Sequence, residues 1–332
     1  MGAGRGMQRK LVTAKINRRD EFYTTRDVVE AELNYYQHDF MGRTVICNCN
    51  DHPERSEFVK FFMRRMNDWQ ISRLIATVYQ PCSTLFDIHS QGGLLFQLVN
   101  TGKLDYSVDD FTVTQLYGDG GFESEECESL LDIPQAIVCT NAPFSRVKDL
   151  FPLLNQHGTG FLILSHMNAI TYKSVFPLFL QERCWLGVSI HSGDRPFLLP
   201  NNYPHVGSRV MIDRQGRAYA HVTGVRWFTN LPTGLIDKDM YSLRDCQYDP
   251  NAYPLYDSYP AIEVSKVRDI PVDYSGLMGV PITFLDHWKP GGRFKLVGEL
   301  NHGDSPLFDP AVPVLDGRVK YKRLLIQQAM KS

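Results

Sequence analysis

The stretch AIVCTNAPF, residues 136–144, is a short apolar run that stops abruptly at a turn containing asparagine and proline. Continuous apolar runs of this length are typical of strands that are buried on both faces of a parallel sheet. Similar runs recur along the first two thirds of the chain and alternate with segments of helical periodicity. The predicted strands are 44–48, 73–79, 111–116, 136–140, 161–165 and 185–190, and the predicted helices are 55–68, 123–131, 145–155 and 172–182.

This alternation predicts an α/β fold in which helices cover both faces of a doubly wound, mostly parallel sheet of seven strands. The seventh strand, 225–231, is expected to form a hairpin with 185–190 across a long excursion and so to close the sheet. From about residue 236 onward, tyrosine, proline and aspartate become frequent, as in YDPNAYPLYDSYP at 248–260. Because regular periodicity fades there, we expect a loop-rich C-terminal region.

The bulk composition is that of an ordinary folded protein. Of the 332 residues, 43% are hydrophobic and 22% are charged, close to the averages of globular proteins. The chain has no apolar run of about 18 residues and no apolar segment after its basic N-terminus, so we expect neither a membrane span nor secretion, but a cytoplasmic protein. The net charge of −2 means that any surface for nucleic acid must be a local patch.

The cysteines and histidines do not have the spacing of a metal site. The seven cysteines are Cys47, Cys49, Cys82, Cys127, Cys139, Cys184 and Cys246. None forms the paired CxxC pattern that zinc sites use, so reduced thiols and no metal are expected. Patterns of serine hydrolases, nucleotide-binding P-loops and zinc proteases are also missing from the sequence, which disfavours those classes of enzyme.

The turn Asn141-Ala142-Pro143-Phe144 resembles the Asn-Pro-Pro-Phe/Tyr signature of amino-group methyltransferases. The resemblance implies that the Asn141 side-chain oxygen and the Ala142 main-chain oxygen accept hydrogen bonds from an exocyclic amine and so localise its lone pair. Pro143 would fix the turn, and Phe144 would stack on the base. The chain departs from the signature at Ala142, where proline is usual. On its own, such a pattern is more often a simple strand-to-helix turn.

Further segments, in the same order along the chain, are similar to those of the EcoRI-type adenine-specific DNA methyltransferases. They are DEFYT at 20–24, VICNCNDHP at 45–53, YGDGGF at 117–122, NAITYK at 168–173, WLGV at 185–188, WFTNL at 227–231, DIPVDY at 269–274 and GLMGVPITFL at 276–285. This resemblance covers most of the chain. The first three segments correspond to the family's cofactor contacts, and it implies cofactor-binding roles for Phe22, Tyr23, Thr24, Asn48, Asn50, Asp51, Asp119 and Phe122.

The resemblance implies a Rossmann-like enzyme that transfers a methyl group from S-adenosyl-L-methionine to the N6 amine of an adenine flipped out of double-stranded DNA. It implies a monomer in a bacterial or phage-infected cell, with a cognate restriction endonuclease as a possible system partner. We accordingly divide the chain into a basic flexible tail at 1–19, a catalytic domain at 20–235 and a target-recognition region at 236–332. Candidate DNA contacts are Arg195, Arg209, Arg214, Arg217, Lys238, Arg244, Lys266 and Arg268.

Two other functions fit the same residues. Ala142 in place of proline is compatible with a DNA-binding relative that has lost transfer activity and acts by occupancy. Related Asn-Pro-Pro-Tyr turns also serve RNA and protein amides, so a methyltransferase with one of those acceptors is the other alternative.

Overall fold

The computed structural model describes residues 23–80, 92–199, 210–235, 246–257, 259–300 and 312–329. Phe22 and Cys82, and the candidate DNA contacts Arg209, Lys238 and Arg244, lie outside these ranges. Among the described residues, no helix is long and apolar enough to cross a membrane, and no group of three or more histidine, cysteine or acidic side chains is placed to hold a metal ion.

The described chain contains the following strands and helices. The strands are β1 (Tyr23–Thr24), β2 (Thr44–Cys47), β3 (Arg73–Val78), β4 (Leu94–Val99), β5 (Thr112–Gln115), β6 (Ile137–Asn141), β7 (Gly160–His166), β8 (Trp185–Leu186), β9 (Asp194–Leu198), β10 (Val210–Ile212), β11 (Ala218–Thr223), β12 (Val225–Thr229), β13 (Ala261–Glu263), β14 (Leu277–Val280), β15 (Phe294–Leu300), β16 (Val314–Leu315), β17 (Arg318–Val319) and β18 (Arg323–Gln328). The α-helices are α1 (Arg26–Leu33), α2 (Gln37–Phe40), α3 (Glu57–Arg65), α4 (Glu125–Glu128), α5 (Val147–His157) and α6 (Phe176–Leu180). Short 3-10 helices span Val108–Asp110, Ser129–Asp132, Met167–Thr171, Pro232–Leu235, Val267–Asp269 and Ile282–Asp286.

The central sheet has eight strands in the order β5-β4-β3-β2-β6-β7-β12-β8. Its middle, β3-β2-β6-β7, is parallel, and every other neighbouring pair is antiparallel. The α/β class is therefore confirmed, but the expectation of a mostly parallel sheet of seven strands is wrong. The sequence analysis did not identify β4, which lies next to the edge strand β5 and buries only Phe96 and Leu98 of its six residues.

The predicted pairing of 225–231 with 185–190 is confirmed, since Phe228 lies opposite Leu186 in an antiparallel ladder. Strand β8 is nevertheless only two residues long. The reason is the buried Glu32 of α1, whose carboxylate accepts hydrogen bonds from the backbone N–H groups of Val188 and Ser189 at 2.8 and 2.6 Å. These donors are thus used by a side chain rather than by a neighbouring strand.

Two apolar cores cover the two faces of the central sheet, as a doubly wound fold requires. Alternate residues of β2 divide between them, with Ile46 in one core and Val45 and Cys47 in the other. Helices α1 and α3 cover the second face, and α5 and α6 cover the first. Helices α3, α5 and α6 overlap the predicted segments 55–68, 145–155 and 172–182, whereas α1 was not predicted. The predicted helix at 123–131 is a short α4 followed by a 3-10 turn.

Beyond residue 236 the chain forms a four-stranded sheet in the order β13-β14-β18-β15 and a two-stranded hairpin of β16 and β17. The expectation of a loop-rich region is therefore only partly right. Apolar side chains of this C-terminal sheet belong to the same core as α5 and α6, and Trp288 lies 6.4 Å from Phe179 of α6 between ring centroids. The C-terminal region thus packs directly against the central sheet.

A buried ion pair joins the C-terminal region to the central sheet. Arg226 of β12 donates from Nε and Nη2 to the two carboxylate oxygens of Asp286 at 2.6 and 3.0 Å. Both side chains are under 5% exposed. Arg226 also donates to the main-chain oxygens of Val225 and His191, so its charge is almost fully hydrogen-bonded. Bidentate geometry of this kind offsets the cost of burying two charges.

We expect Asp286→Ala to lower the free energy of unfolding by about 3–5 kcal/mol, because it leaves the Arg226 guanidinium buried without its counter-charge. Urea denaturation measures the loss. The control is Asp68→Ala, which removes the acidic partner of Arg65 from an exposed pair and should cost under about 1 kcal/mol. Equal effects of the two substitutions would show that the buried pair does not stabilise the contact between the C-terminal region and the central sheet.

Candidate active site

A pocket opens where β2 and β6 end, at the carboxyl edge of the parallel part of the sheet, which is where ligands bind in folds of this class. It contains about 560 Å³ of space, part of it open to solvent. It is lined by Tyr23, Thr24, Cys49, Asn50, Asp51, Arg55, Ser56, Glu57, Phe58, Asn141 and Pro143. Three separate stretches of sequence, each singled out above, therefore meet at one cavity.

Asp51 holds the walls of this pocket together. Its carboxylate accepts hydrogen bonds from the hydroxyls of Ser56 and Thr140 and from the backbone N–H of Cys49. Ser56 is also the N-cap of α3, since its side chain accepts from the N–H of Val59. One carboxylate thus ties the end of β2 to α3 and to β6.

Burial raises the pKa of Asp51 to about 6, although the hydrogen bonds from Ser56, Thr140 and Cys49 act in the opposite direction. The group is therefore ionised at neutral pH. Because a carboxylate has about four acceptor sites, one remains for a ligand. Burial, with the charge of Asp51 close by, also raises the pKa of the Cys49 thiol, which stays protonated.

Asn50 adopts a left-handed backbone conformation with φ of 64°, which asparagine tolerates better than most residues. Its side-chain oxygen accepts from the N–H of Tyr79, at 3.3 Å, just past the end of β3. The neighbouring Asp51 N–H donates to the carbonyl of Thr77. These bonds hold the loop after β2 across the end of β3. Asn48, by contrast, is buried and does not line the pocket.

The turn after β6 presents only part of its predicted set to the pocket. Asn141 is the last residue of β6, and it and Pro143 line the cavity. The side chain of Ala142 is 1% exposed and lies in the apolar core. Phe144 is half-buried and packs against His166, 5.7 Å away between ring centroids, rather than lining the pocket.

Strand β1 forms another wall of the pocket. Tyr23 and Thr24 pair with Leu198 and Phe197 of β9, which fixes them beside the loop after β2. Thr24 is 6% exposed, and its hydroxyl has no hydrogen-bond partner among the described residues. A buried hydroxyl without a partner is costly, so Thr24 is a position at which a ligand could form a hydrogen bond.

Asp119 and Phe122 reach the same edge of the sheet but not the pocket. The carbonyl of Asp119 accepts from the N–H of Gln80, after β3, and its carboxylate accepts from the N–H of Gly121. Phe122 is buried in the core beneath Arg146, whose guanidinium lies 5.4 Å from the ring centroid. The structure thus gives both side chains internal contacts.

Several lining residues were not predicted as site residues. Arg55, Ser56, Glu57 and Phe58 come from the start of α3, and Thr140 supports the pocket from behind. The sequence does contain a signal for the first group, because a serine directly before a helical segment is a typical N-cap. No comparable signal identifies Thr140, whose contact with Asp51 spans 89 positions.

A parallel-centred sheet with a polar pocket at its carboxyl edge, lined by Asn141 and Pro143 of an Asn-Ala-Pro-Phe turn, is compatible with the fold and site of a methyltransferase. Comparison with known proteins is more specific. Residues 10–328 match the family model of the adenine-specific methyltransferase EcoRI. The chain therefore belongs to the EcoRI adenine-specific methyltransferase family, and this membership identifies it as a DNA methyltransferase.

Three relatives are similar along nearly their whole length. The chain is 35% identical to the type II methyltransferase M.EcoRI of Escherichia coli, over 95% of this chain and 94% of the relative. It is 32% identical to M.MpnI of Mycoplasma pneumoniae and 31% identical to M.MgeORF184P of Mycoplasma genitalium, in each case over 95% of this chain and 97% of the relative. No solved structure matches the chain significantly.

The raised pKa of Asp51 predicts a pH dependence of stability. Since the folded-state pKa of about 6 lies above the unfolded value of 3.8, the folded protein binds the proton more tightly. The resulting stabilisation is complete below about pH 4 and is lost as the pH rises through 6, an effect on the order of 3 kcal/mol. Urea unfolding of the wild type and of Asp51→Asn between pH 4 and 7 measures it. The difference between the two curves should change over this window, and parallel curves would contradict the assignment.

Proposed function

We propose that the protein transfers a methyl group from S-adenosyl-L-methionine to the N6 amine of an adenine in duplex DNA. The observation that carries this proposal is the convergence of Thr24, Asp51 and Asn141 on one pocket, although they lie far apart in sequence. Each belongs to a segment that resembles the family's cofactor or catalytic segments. The family membership supports adenine as the target base.

The pocket residues fit the amino-acid end of S-adenosyl-L-methionine. Asp51 offers a buried carboxylate with an open acceptor site for an ammonium group, and Thr24 offers a buried hydroxyl that has no partner among the described residues. The first turn of α3, with Arg55 beside it, supplies backbone N–H groups and positive potential suited to a carboxylate. When bound, S-adenosyl-L-methionine supplies an electrophilic methyl group on a sulfonium.

Asn141 and Ala142 are proposed to orient the amine of the target adenine. Acceptance of its two N–H bonds by a side-chain oxygen and a main-chain oxygen favours a pyramidal nitrogen with a localised lone pair. The side chain of Ala142 is buried in the core, so the replacement of proline changes packing behind the turn while the carbonyl of residue 142 is retained. Pro143 limits the backbone freedom of the turn. Positioning by these groups is the main source of rate enhancement in this proposal.

The target adenine must leave the base stack to reach Asn141, at a cost of a few kcal/mol. Phe144 is proposed to stack on the flipped base. Its ring is partly exposed and is supported from behind by His166, whose pKa is lowered by burial and by the charge of Arg226, so that the support is a neutral ring. Asp119 and Phe122 remain proposed contacts of the cofactor's adenine, next to the pocket rather than in its wall.

The remaining expectations concern the molecule as a whole. We propose a monomer with a catalytic domain at 20–235 and a DNA-recognition region at 236–332, in the cytoplasm of a bacterial or phage-infected cell where its substrate lies. A restriction endonuclease that cuts the same sequence would be a system partner without a stable complex.

Asn141→Ala should lower methyl transfer by roughly 100-fold or more while leaving S-adenosyl-L-methionine bound, because it removes an acceptor that acts on the amine. The assay follows tritium from labelled S-adenosyl-L-methionine into duplex DNA, RNA and protein acceptors, and calorimetry measures its binding. The control is Asn34→Ala, an exposed asparagine at the end of α1. Transfer to RNA or protein in preference to DNA, or no transfer by the wild type to diverse duplexes, would refute the proposal.

Thr24→Val should weaken the binding of S-adenosyl-L-methionine about tenfold, since it replaces a hydroxyl that we expect the ligand to complete. Isothermal titration calorimetry gives the dissociation constants. Thr24→Ser keeps the hydroxyl and serves as the matched control, which should bind nearly as tightly as the wild type. Equal affinities of all three proteins would exclude Thr24 from the donor site.

A further inference from the structure

The pocket wall continues into a second sheet whose outer hairpin is largely exposed at its tip. Its strand order is β1-β9-β11-β10, so the two residues of β1 that line the pocket begin a ladder that ends at the hairpin of β10 and β11. All pairs in this sheet are antiparallel. With about 4.8 Å between neighbouring strands, the outer strand β10 lies roughly 14 Å from the pocket wall. We call residues 210–223 the arm.

The tip of the arm has a fixed conformation. The carboxylate of Asp213 accepts from the backbone N–H groups of Gln215 and Arg217 at 2.8 and 2.9 Å, and from Nε of Arg217 at 2.8 Å. Gly216 completes the turn with φ of 77°, and its N–H donates to the carbonyl of Asp213. Arg217 also lies over the ring of Tyr219, at 5.7 Å. The charge of Arg217 is therefore internally compensated.

Two other side chains at this tip are directed towards solvent. Arg214 and Gln215 are exposed, and no carboxylate of the described residues forms an ion pair with Arg214. On the adjoining strand β10, Met211 and Ile212 are 54% and 67% exposed, which is unusual for large apolar residues. The arm thus ends in a rigid turn that presents one cation, one amide and exposed apolar groups.

The base of the arm is coupled to the catalytic turn. A single residue, Gly224, joins β11 to β12, and its φ of 72° favours glycine. A side chain at 224 would also meet the His166 ring, since a Cβ there would lie 3.0 Å from Nε2. His166 in turn packs against Phe144, next to the proposed base position. The arm therefore has a defined position relative to the catalytic turn.

We propose that the arm enters the major groove of the DNA beside the flipped adenine and that Arg214 and Gln215 read base edges there. Strand β11 pairs with β9 over Tyr219–Thr223, so the part of the arm that extends past β9 is the turn at 213–217 with the strand ends beside it. A two-stranded element of this kind fits the major groove, which is about 12 Å wide. Arginine and glutamine match the acceptor and donor patterns of guanine and adenine, and exposed apolar side chains contact the thymine methyl. In a chain of net charge −2, an exposed arginine at the tip of a hairpin is complementary to a polyanion. This inference rests on the proposed function and places sequence reading in the excursion between β8 and β12, in addition to the C-terminal region.

The test compares Arg214→Ala, Arg214→Lys and Gln215→Ala with the wild type. Sequencing of host DNA with modification-sensitive reads first defines the methylated sequence, and fluorescence anisotropy then measures affinity for that duplex and for a scrambled duplex. Each alanine variant should lose about tenfold to a hundredfold in affinity for the cognate duplex and much less for the scrambled one. Arg214→Lys should resemble Arg214→Ala, because lysine keeps the charge but lacks the bidentate fork.

The control is Arg65→Ala, which removes a partly exposed arginine from the end of α3 opposite the pocket. Thermal unfolding and binding of S-adenosyl-L-methionine should be unchanged in the arm variants, since their side chains are solvent-exposed. If the wild type methylates DNA but the arm variants bind the cognate duplex as Arg65→Ala does, the arm proposal is wrong and the proposed function stands. If the wild type does not methylate DNA, the proposed function itself fails.

Discussion

The carboxylate of Asp51 is the constraint on which the pocket depends. It lies in the loop after β2, yet its three hydrogen bonds reach the hydroxyl that caps α3, the hydroxyl of Thr140 on β6 and the N–H of Cys49. Thr140 immediately precedes Asn141, so the position of the Asn141–Phe144 turn relative to the other walls of the pocket depends on this carboxylate. A buried acid with raised pKa is less stabilising than an apolar residue of that size, and such a cost is characteristic of functional sites.

The parts of the fold that the sequence predicted are those with a strong local pattern. Strands β2, β3, β6 and β7 are continuous apolar runs, and all four form the parallel centre of the sheet. The strands that were missed or misjudged depend on distant partners. Strand β8 ends early because Glu32 accepts hydrogen bonds from the next backbone N–H groups, and β4, next to the edge strand β5, is only partly buried. The C-terminal strands lie among prolines and tyrosines, where local periodicity is weak.

The site was predictable to a similar extent. Asn50, Asp51, Asn141 and Pro143 follow buried strands, so their meeting at one edge of the sheet follows from topology. The sequence could not show that Ala142 and Phe122 face the core, because that depends on packing across the sheet. It also could not show the role of Ser56 and Thr140 as partners of Asp51. Nor did it separate Arg214, which projects from a rigid turn, from the other arginines of the chain.

Glu32 has a consequence for how the molecule assembles. Its carboxylate is buried and receives its backbone donors from residues 156 and 157 positions further along the chain. During synthesis, helix α1 is therefore made long before Val188 and Ser189. If α1 packed onto the sheet without them, the Glu32 carboxylate would be buried in an apolar layer without these two hydrogen bonds, which is costly. Strand β1, which lines the pocket, directly precedes this helix. The pocket is thus complete only after the later half of the chain has been made, and a nascent or truncated chain is expected not to bind ligand in it.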